Sequence, residues 1–363
     1  MKKLLFSLCI LVFALACGKD TITLKGTIAE GETYPENTLV YLTDGNEVLA
    51  SAEVKNSAFT LKAPANPKTM YFITDNPDAS PTWQYSIIAE AGSFPVTFSS
   101  LYQNCAIEGS SLNEQLAEYR QSIRNIITDY RQQASALPED AEEEFEKLYE
   151  QTLGRMKDLS LEAMDNNPHN YIALAALGNI IDDIDLDEVK DILAKCDSFI
   201  TENEGIQSSV ALKEAEKATS EGQPFIDFAG KTPDGKDVKL SDYVGKGRWV
   251  LTDFWASWCG PCMGEVPNIK KTHETLSGDK FTVLGIAVWE RGGDNTASAK
   301  KMAEMGMTWP QIFMGSDKTA TESYGIIGIP TMILFAPDGT IYKRGESLRG
   351  AKMMETVRDI INL

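Results

Sequence analysis

The stretch WVLTDFWASWCGPCMGEVP, residues 249–267, holds two cysteines that are separated by two residues. The mostly apolar residues WVLTDFWA before Cys259 predict a buried strand, and EVPNIKKTHETL after Cys262 predicts a helix. Cys259 would then lie at a helix N-terminus, where unpaired backbone amides and the helix dipole favour a thiolate. We expect Cys259 to be the reactive, more exposed sulfur with a lowered pKa, and Cys262 to be the buried resolving sulfur.

The cysteine and histidine counts limit what this pair can be. Six cysteines in 363 residues are too few for a disulfide scaffold. Structural zinc usually needs four ligands, yet the sequence has no second Cys-x-x-Cys and only two histidines, His169 and His273. A purely structural bridge would close too short a loop to remove much unfolded-state entropy. A redox pair is therefore the favoured interpretation, and we expect no metal and no cofactor.

The motif FWASWCGPCMGEVP, together with GIPT at residues 328–331, resembles the thioredoxin fold and the related AhpC/TSA redoxins. More closely, it resembles the TlpA/ResA type of extracytoplasmic thiol-disulfide oxidoreductase. That type has a leading hairpin, matched here by PFIDF, PDGK and VKLSDYVGK, and an acid and a proline that Glu265 and Pro267 match. The resemblance covers residues 223–363 and implies thiol-disulfide exchange. The Gly-Pro pair between the cysteines, as in reducing thioredoxins, favours a protein-disulfide reductase.

The resemblance also assigns roles around the cysteines. Asp253 matches the buried acid beneath the thioredoxin disulfide, where burial raises a carboxyl pKa and suits the group to deprotonate Cys262. Glu265 is a second candidate for this proton transfer or for tuning the pKa of the nucleophile. The Ile329–Pro330 peptide is expected to be cis and to leave the Ile329 backbone free to pair with an extended substrate. The expected substrate-binding residues are Trp258, Gly260, Pro261, Ile329, Pro330 and Thr331.

Four residues outside this motif carry further expectations. Glu290 and Arg291 follow the strand that begins at Phe281 and are candidates for lining the substrate groove. Cys105 and Cys196 lie in apolar or helical surroundings, so we expect buried free thiols there.

The first residues of the chain indicate export. Lys2 and Lys3 precede an apolar run that is too short to span a bilayer, and the run ends in ALAC at residues 14–17. This arrangement resembles a bacterial lipoprotein signal, in which residues 1–16 are removed and Cys17 becomes the lipidated first residue. Ordinary signal cleavage and an uncleaved anchor are the alternatives. We therefore expect a protein of the cell envelope or periplasm, anchored by lipid to the inner or the outer membrane.

Composition divides the rest of the chain into three segments. Residues 17–110 alternate short apolar runs with turn residues and predict an antiparallel β-sandwich-like domain of unknown function. Residues 111–220 have apolar residues at helical spacing and predict a helical connector with breaks at Pro138, at the segment NNPHN and at Gly205. Residues 221–363 alternate strands and helices, which predicts an α/β domain with a mixed central sheet and helices on both faces.

Charge and context define the expected partners and the alternative functions. The chain has 34 basic and 53 acidic residues, a formal net charge of -19, and such a surface repels phosphate backbones, so we expect no nucleic-acid partner. The expected partners are disulfide-containing envelope proteins and a membrane donor of reducing equivalents. A peroxiredoxin-type peroxidase is one alternative, although the residues before Cys259 lack its Pro-x-x-x-Thr-x-x-Cys signature. A membrane-surface binding module with a redox-sensing domain is the other.

Overall fold

The computed structural model describes residues 20–30, 32, 37–77, 81–99, 104–138, 141–293 and 295–362. The expected signal peptide and the lipidation site at Cys17 lie outside these residues. The chain divides into two compact units, Met1–Ile184 with Asp191–Asn203, and Asp185–Lys190 with Glu204–Leu363. No helix in the described ranges combines the length and the apolar character that crossing a membrane requires.

The N-terminal unit begins with strands that form two four-stranded sheets. The strands are β1 (Thr21–Ile28), β2 (Leu39–Thr43), β3 (Val48–Glu53), β4 (Ala58–Pro64), β5 (Asn66–Thr74), β6 (Gln84–Ala89), β7 (Gly92–Ser99) and β8 (Asn104–Ile107). The sheet orders are β4-β1-β7-β8 and β3-β2-β5-β6, and residues of both sheets, such as Leu24 and Leu42, share one apolar core. The sandwich-like prediction is confirmed, with one parallel pair, β1 with β7. Alternating burial does not reveal this pairing, because half-buried strands alternate in either direction.

Helices follow the sandwich, and most of the predicted breaks are where the structure has them. The helices are α1 (Ser111–Ala134), α2 (Glu142–Asn166), α3 (Tyr171–Gly178), α4 (Leu186–Leu193), α5 (Ser198–Thr201) and α6 (Glu204–Ala218). Pro138 and the NNPHN segment interrupt helices, and the third break, predicted at Gly205, lies two to three residues earlier, at residues 202–203. Gly205 is the second residue of α6, where the amides have no intrahelical partner in any case and a glycine is tolerated. Because α6 belongs to the C-terminal unit, the predicted connector, residues 111–220, is divided between the two units.

The C-terminal unit is built on one mixed sheet. Its elements are β9 (Ala229–Lys231), β10 (Asp237–Lys239), β11 (Trp249–Trp255), α7 (Gly260–Leu276), β12 (Phe281–Ala287), α8 (Thr296–Met305), β13 (Gln311–Phe313), α9 (Thr319–Ser323), β14 (Thr331–Phe335), β15 (Ile341–Arg344) and α10 (Met353–Ile361). The strand order is β10-β9-β13-β12-β11-β14-β15, with β11 parallel to β12 and antiparallel to β14. This confirms the predicted α/β architecture.

Alternate residues of the central strand β11 pack into cores on opposite faces of the sheet. Leu251 and Trp255 belong to the core that α7, α8 and α10 cover, whereas Val250 and Phe254 belong to the core that contains Tyr324. Because side chains alternate along a strand, Asp253 is directed to the same face as Leu251 and Trp255. The central strand therefore brings a carboxyl group to the side of the sheet on which α7 begins.

Helix α6 packs closely against the segment that leads into β14. Gly325 has a φ of +57°, and a Cβ atom there would lie 2.3 Å from the Leu212 carbonyl oxygen and 2.5 Å from the Glu216 nitrogen. On β15, Arg344 donates hydrogen bonds to the Thr219 carbonyl oxygen (3.2 Å) and hydroxyl (2.9 Å) at the end of α6. The helix is thus fixed to the sheet by a close backbone contact and by a half-buried guanidinium.

We expect Gly325→Ala to lower the free energy of unfolding by about 1–3 kcal/mol more than Gly247→Ala does. Both glycines have positive φ, +57° and +80°, which costs an alanine about 1–2 kcal/mol. At Gly247 nothing lies within 4 Å of the added methyl group, whereas at Gly325 the methyl group meets the backbone of α6. Urea unfolding followed by circular dichroism measures both variants, and an equal loss in the two would contradict the close packing of α6.

Candidate active site

The two cysteines lie where the central strand passes into a helix. Strand β11 ends at Trp255, Cys259 is the N-cap residue of α7, and Cys262 lies in the first helical turn. They form a disulfide with Cα atoms 5.3 Å apart, and the Cys262 backbone nitrogen is 3.1 Å from the Cys259 sulfur. The helix N-terminus therefore directs an amide donor at the Cys259 sulfur, which is the arrangement that favours a thiolate.

Both cysteines are buried in the disulfide form. Cys259 is 4% exposed and Cys262 1% exposed, so Cys259 is the more exposed of the two by a small margin. The Ile329 carbonyl oxygen lies 3.8 Å from the Cys259 sulfur and helps to cover it in this form. The exposed residues Gly260 and Pro261 lie between the two cysteines.

The segment from Gly328 to Thr331 lies on the other side of the disulfide. Its Ile329–Pro330 peptide bond is cis. The Thr331 hydroxyl donates a hydrogen bond to the Gly328 carbonyl oxygen at 2.7 Å, which closes this turn on itself. Ile327, just before the turn, is 60% exposed. The segment thus presents a backbone carbonyl to the disulfide and an apolar side chain to solvent.

Asp253 is a buried carboxyl group on the disulfide side of the sheet. It is 2% exposed, and its Oδ1 atom accepts no hydrogen bond from the described part of the chain. The pKa of Asp253 is raised to about 7, chiefly by burial and also by the nearby charge of Glu265, while Arg349 opposes the shift. This carboxyl group can therefore gain or lose a proton near neutral pH.

Glu265 lies on α7, three residues after Cys262, and is half-buried. Its carboxylate accepts hydrogen bonds from the Gly350 amide (3.0 and 3.3 Å) and from the Asn268 side-chain amide (3.1 Å). These bonds fix the carboxylate between α7 and the segment before α10. From there its negative charge acts on Asp253.

The two tryptophans of the motif have different surroundings. Trp255 is 1% exposed and its indole nitrogen donates a hydrogen bond to the Gln311 side-chain oxygen at 3.0 Å. Trp258 is 43% exposed, and its indole nitrogen donates to the Trp289 carbonyl oxygen at 2.9 Å. Trp255 is thus a packing residue, whereas Trp258 offers an open aromatic face next to Cys259. Gln311 lies on β13, a strand of three residues that is too short for any periodic signal.

The expectation for Glu290 is wrong, because its carboxylate is buried and bound to Ser257. Strand β12 ends at Ala287, and the chain then turns so that Glu290 is only 4% exposed. Its two oxygens accept hydrogen bonds from the Ser257 amide and hydroxyl, both at 2.7 Å. Arg291 does lie at the surface, with its guanidinium 4.9 Å from the centre of the Trp258 ring. Sequence reasoning missed Ser257, because a small polar residue before the cysteine gives no signal of its distant partner.

Cys196 is the other cysteine whose side chain the structure describes. It is a free thiol, half-buried, and donates a hydrogen bond to the Ile192 carbonyl oxygen at 3.3 Å. Burial raises the pKa of Cys196, which opposes thiolate formation. The surroundings of the Cys105 side chain lie outside the described residues.

Comparisons with known proteins identify the family. Residues 222–344 match the AhpC/TSA family, and residues 22–116 match a domain of unknown function, DUF4369. The thiol-disulfide oxidoreductase ResA of Geobacillus kaustophilus is 30% identical over 125 residues, which cover 34% of this chain and 68% of the relative. ResA of Bacillus subtilis is 26% identical over 147 residues, 40% of this chain and 77% of the relative.

Among solved structures, the thioredoxin domain of a thiol-disulfide oxidoreductase from Bacteroides vulgatus is 30% identical to this chain. The match covers 39% of this chain and 99% of that domain, with a TM-score of 0.36. Both ResA relatives are named thiol-disulfide oxidoreductases, and such enzymes exchange thiols and disulfides through a pair of cysteines. The disulfide at the N-terminus of α7 supplies a pair of this kind. This chain is an enzyme of the ResA/TlpA type of thiol-disulfide oxidoreductases, and it contains an AhpC/TSA thioredoxin-like domain.

Proposed function

We propose that this enzyme reduces disulfides in proteins of the cell envelope, with Cys259 as the nucleophile and Cys262 as the resolving thiol. The observation that supports these roles best is the position of the Cys259 sulfur at the N-terminus of α7, 3.1 Å from the Cys262 amide. In the reduced enzyme this amide and the helix dipole stabilise a thiolate, which is the form that attacks disulfides. Cys262, one turn further along, forms the disulfide with Cys259, so in a mixed disulfide it is within reach of the Cys259 sulfur that it must attack.

The proposed reaction consists of two exchange steps. The Cys259 thiolate attacks one sulfur of the substrate disulfide, so that a mixed disulfide forms and the second substrate sulfur leaves as a thiolate. The Cys262 thiolate then attacks the Cys259 sulfur, which closes the enzyme disulfide and releases the reduced substrate. Two electrons pass from the enzyme to the substrate in each cycle. The oxidised enzyme is reduced again by a second dithiol, for which we propose a membrane donor of reducing equivalents.

Asp253 is the proposed base for the second step. Cys262 must lose its proton before it attacks, and a carboxyl group with a pKa of about 7 accepts protons at neutral pH. Glu265 is held by the Gly350 amide and raises the pKa of Asp253, so its proposed role is to tune the base. In this proposal Asp253 accepts the proton of Cys262, and Glu265 adjusts the pKa of Asp253.

The proposed substrate surface surrounds the disulfide. Trp258 offers its exposed ring, Gly260 and Pro261 are exposed in the first turn of α7, and Ile329 lies against Cys259. An extended substrate segment would pair with the backbone of the turn formed by Ile329, Pro330 and Thr331. These surfaces suit a protein chain, since they combine apolar side chains with backbone groups.

We also propose that residues 1–16 are removed and that Cys17 carries the lipid, which places the enzyme in the cell envelope on the inner or the outer membrane. The support is the sequence of basic residues, apolar run and ALAC at the N-terminus.

We expect the pair Cys259/Cys262 to have a reduction potential of about -270 mV, as in reducing thioredoxins. The measurement is an equilibrium titration of the chain from Gly18 onward in thiol redox buffers, read by the mass shift on alkylation. Cys259→Ser is the control and should show no two-electron transition. A value near about -120 mV, typical of strong oxidants, would reverse the proposed direction.

Cys262→Ser should trap substrate proteins covalently through Cys259, because the second exchange step is blocked while the first proceeds. Cell envelopes that express this variant are alkylated and separated without reductant, and the trapped partners are identified by mass spectrometry. The matched variant Cys259→Ser retains a thiol but should trap none of these proteins. Recovery of no partner with Cys262→Ser would count against envelope proteins as substrates.

Asp253→Asn should become more stable than the parent as the pH rises from about 4 to about 7. The folded-state pKa of Asp253 is about 7 and an unfolded aspartate has about 3.9, so in this range the folded state keeps a proton that the unfolded state has lost. The parent therefore loses on the order of 4 kcal/mol of stability over this range, and the variant is spared this loss. Below about pH 4 the two should differ little on this account.

Urea unfolding of the oxidised protein at several pH values measures this difference. The control is Asp359→Asn, the same substitution at an exposed position on α10. A stability difference between Asp253→Asn and the parent that does not change with pH would show that Asp253 titrates as an ordinary carboxyl group.

A further inference from the structure

The loop after β12 binds two of the three residues that connect the central strand to Cys259, namely Ser257 and Trp258. The Glu290 carboxylate accepts hydrogen bonds from the Ser257 amide and hydroxyl, both at 2.7 Å. The Trp258 indole nitrogen donates to the Trp289 carbonyl oxygen at 2.9 Å. Residues 257 and 258 immediately precede Cys259, so this loop determines how the chain enters α7.

The loop itself is firmly held. The Glu290 amide donates to the Gly315 carbonyl oxygen at 3.0 Å, and the Trp289 indole nitrogen donates to the Thr321 hydroxyl at 3.2 Å. Since Thr321 is a buried residue of α9, this bond anchors the loop to that helix. Movement of Ser257 is thus opposed by elements well outside the motif.

Two features of the loop lower the stability of the folded protein. A carboxylate that is only 4% exposed loses most of its hydration and must be compensated by hydrogen bonds. Trp289 has a φ of +54°, a left-handed conformation that is strained for a bulky side chain. Such costs are concentrated at functional sites, where the geometry they enforce has a use. Here the enforced geometry is that of Ser257 and Trp258.

We propose that Glu290 is a positioning residue for Cys259. Its bonds to Ser257 fix the backbone two residues before Cys259 and so keep Cys259 at the N-cap of α7, with its sulfur 3.1 Å from the Cys262 amide. In the reduced enzyme this placement preserves the stabilisation of the thiolate. Glu290 acts through Ser257 and contacts neither sulfur nor substrate. The inference rests on the proposed role of Cys259 as the nucleophile.

Three substitutions of Glu290 separate positioning from the effect of charge. Glu290→Ala removes both bonds to Ser257, so the pKa of Cys259 rises and its thiolate fraction at pH 7 falls by about fivefold or more. Glu290→Asp keeps the negative charge but is one methylene shorter, and it shifts the pKa in the same direction. Glu290→Gln keeps an acceptor for the Ser257 amide, so the pKa of Cys259 is no higher than in the parent.

The experiment measures the rate at which Cys259 is alkylated as a function of pH in the reduced chain from Gly18 onward, with the labelled peptide identified by mass. The matched control is Asp227→Ala, because the Asp227 carboxylate binds the Ser241 amide and hydroxyl at 2.8 Å each, near the β9–β10 edge of the sheet. This control loses the same pair of bonds and leaves the Cys259 profile unchanged. Urea unfolding of every variant establishes that it is folded.

A raised Cys259 pKa in the alanine and aspartate variants, with none in the glutamine variant, supports the positioning role. Unchanged profiles in folded alanine and aspartate variants overturn it, as does a pKa that falls in both Glu290→Ala and Glu290→Gln, which indicates a role of charge alone. If the alanine variant does not fold, the aspartate and glutamine variants decide between these outcomes. A parent whose Cys259 is no more reactive than an ordinary thiol overturns the proposed function, and the comparison of variants then has no basis.

Discussion

The hydrogen bond geometry at the start of α7 is the interaction on which the site depends. A helix N-terminus always carries amides without intrahelical partners, and here one of them, that of Cys262, is directed at the Cys259 sulfur. This contact requires that the end of β11, the turn after it and the start of α7 keep fixed positions relative to one another. Strand β11 provides the fixed end, since it is buried almost throughout its length and paired on both sides. The disulfide is therefore held at the end of a buried central strand of the sheet.

The same strand, β11, places a titratable acid, Asp253, in the interior of the domain. Asp253 occupies a position of β11 whose neighbours along that face, Leu251 and Trp255, are core residues. An apolar residue there would pack more favourably, so the acid lowers the stability of the domain at neutral pH. Its presence is understandable if the reaction needs a proton acceptor beneath the disulfide. Stability and proton transfer thus make opposite demands on one side chain.

Local sequence patterns predicted the parts of the fold that depend on local order. The strand β11, the helix α7 and the sandwich-like N-terminal sheets each have a period or a turn signal. The cysteines and Asp253 were identifiable because their motif is specific and short. What could not be predicted are pairings between distant residues, among them the parallel pair β1 with β7 and the contact of Glu290 with Ser257. Such contacts depend on how the sheets assemble, and a short stretch of sequence carries no information about that assembly.

The short strand β13 is a similar case, because three residues cannot display a period, yet its Gln311 binds Trp255 next to the active-site turn. Hydrogen bonds of this kind help to fix the geometry of the site, but they cannot be predicted from the composition of the sequence. Sequence reasoning therefore located the two cysteines of the disulfide and left the groups that hold them to be found in the structure.

The packing of α6 on Gly325 has a consequence for how this protein could exchange parts with its relatives. The AhpC/TSA match begins at residue 222, after α6 has ended, yet the helix lies against Gly325, four residues before Ile329. A recombination event that joined a new N-terminal segment at residue 222 would separate the sheet from a helix whose backbone it touches. The C-terminal unit thus extends beyond the matched residues and includes α6, Glu204–Ala218.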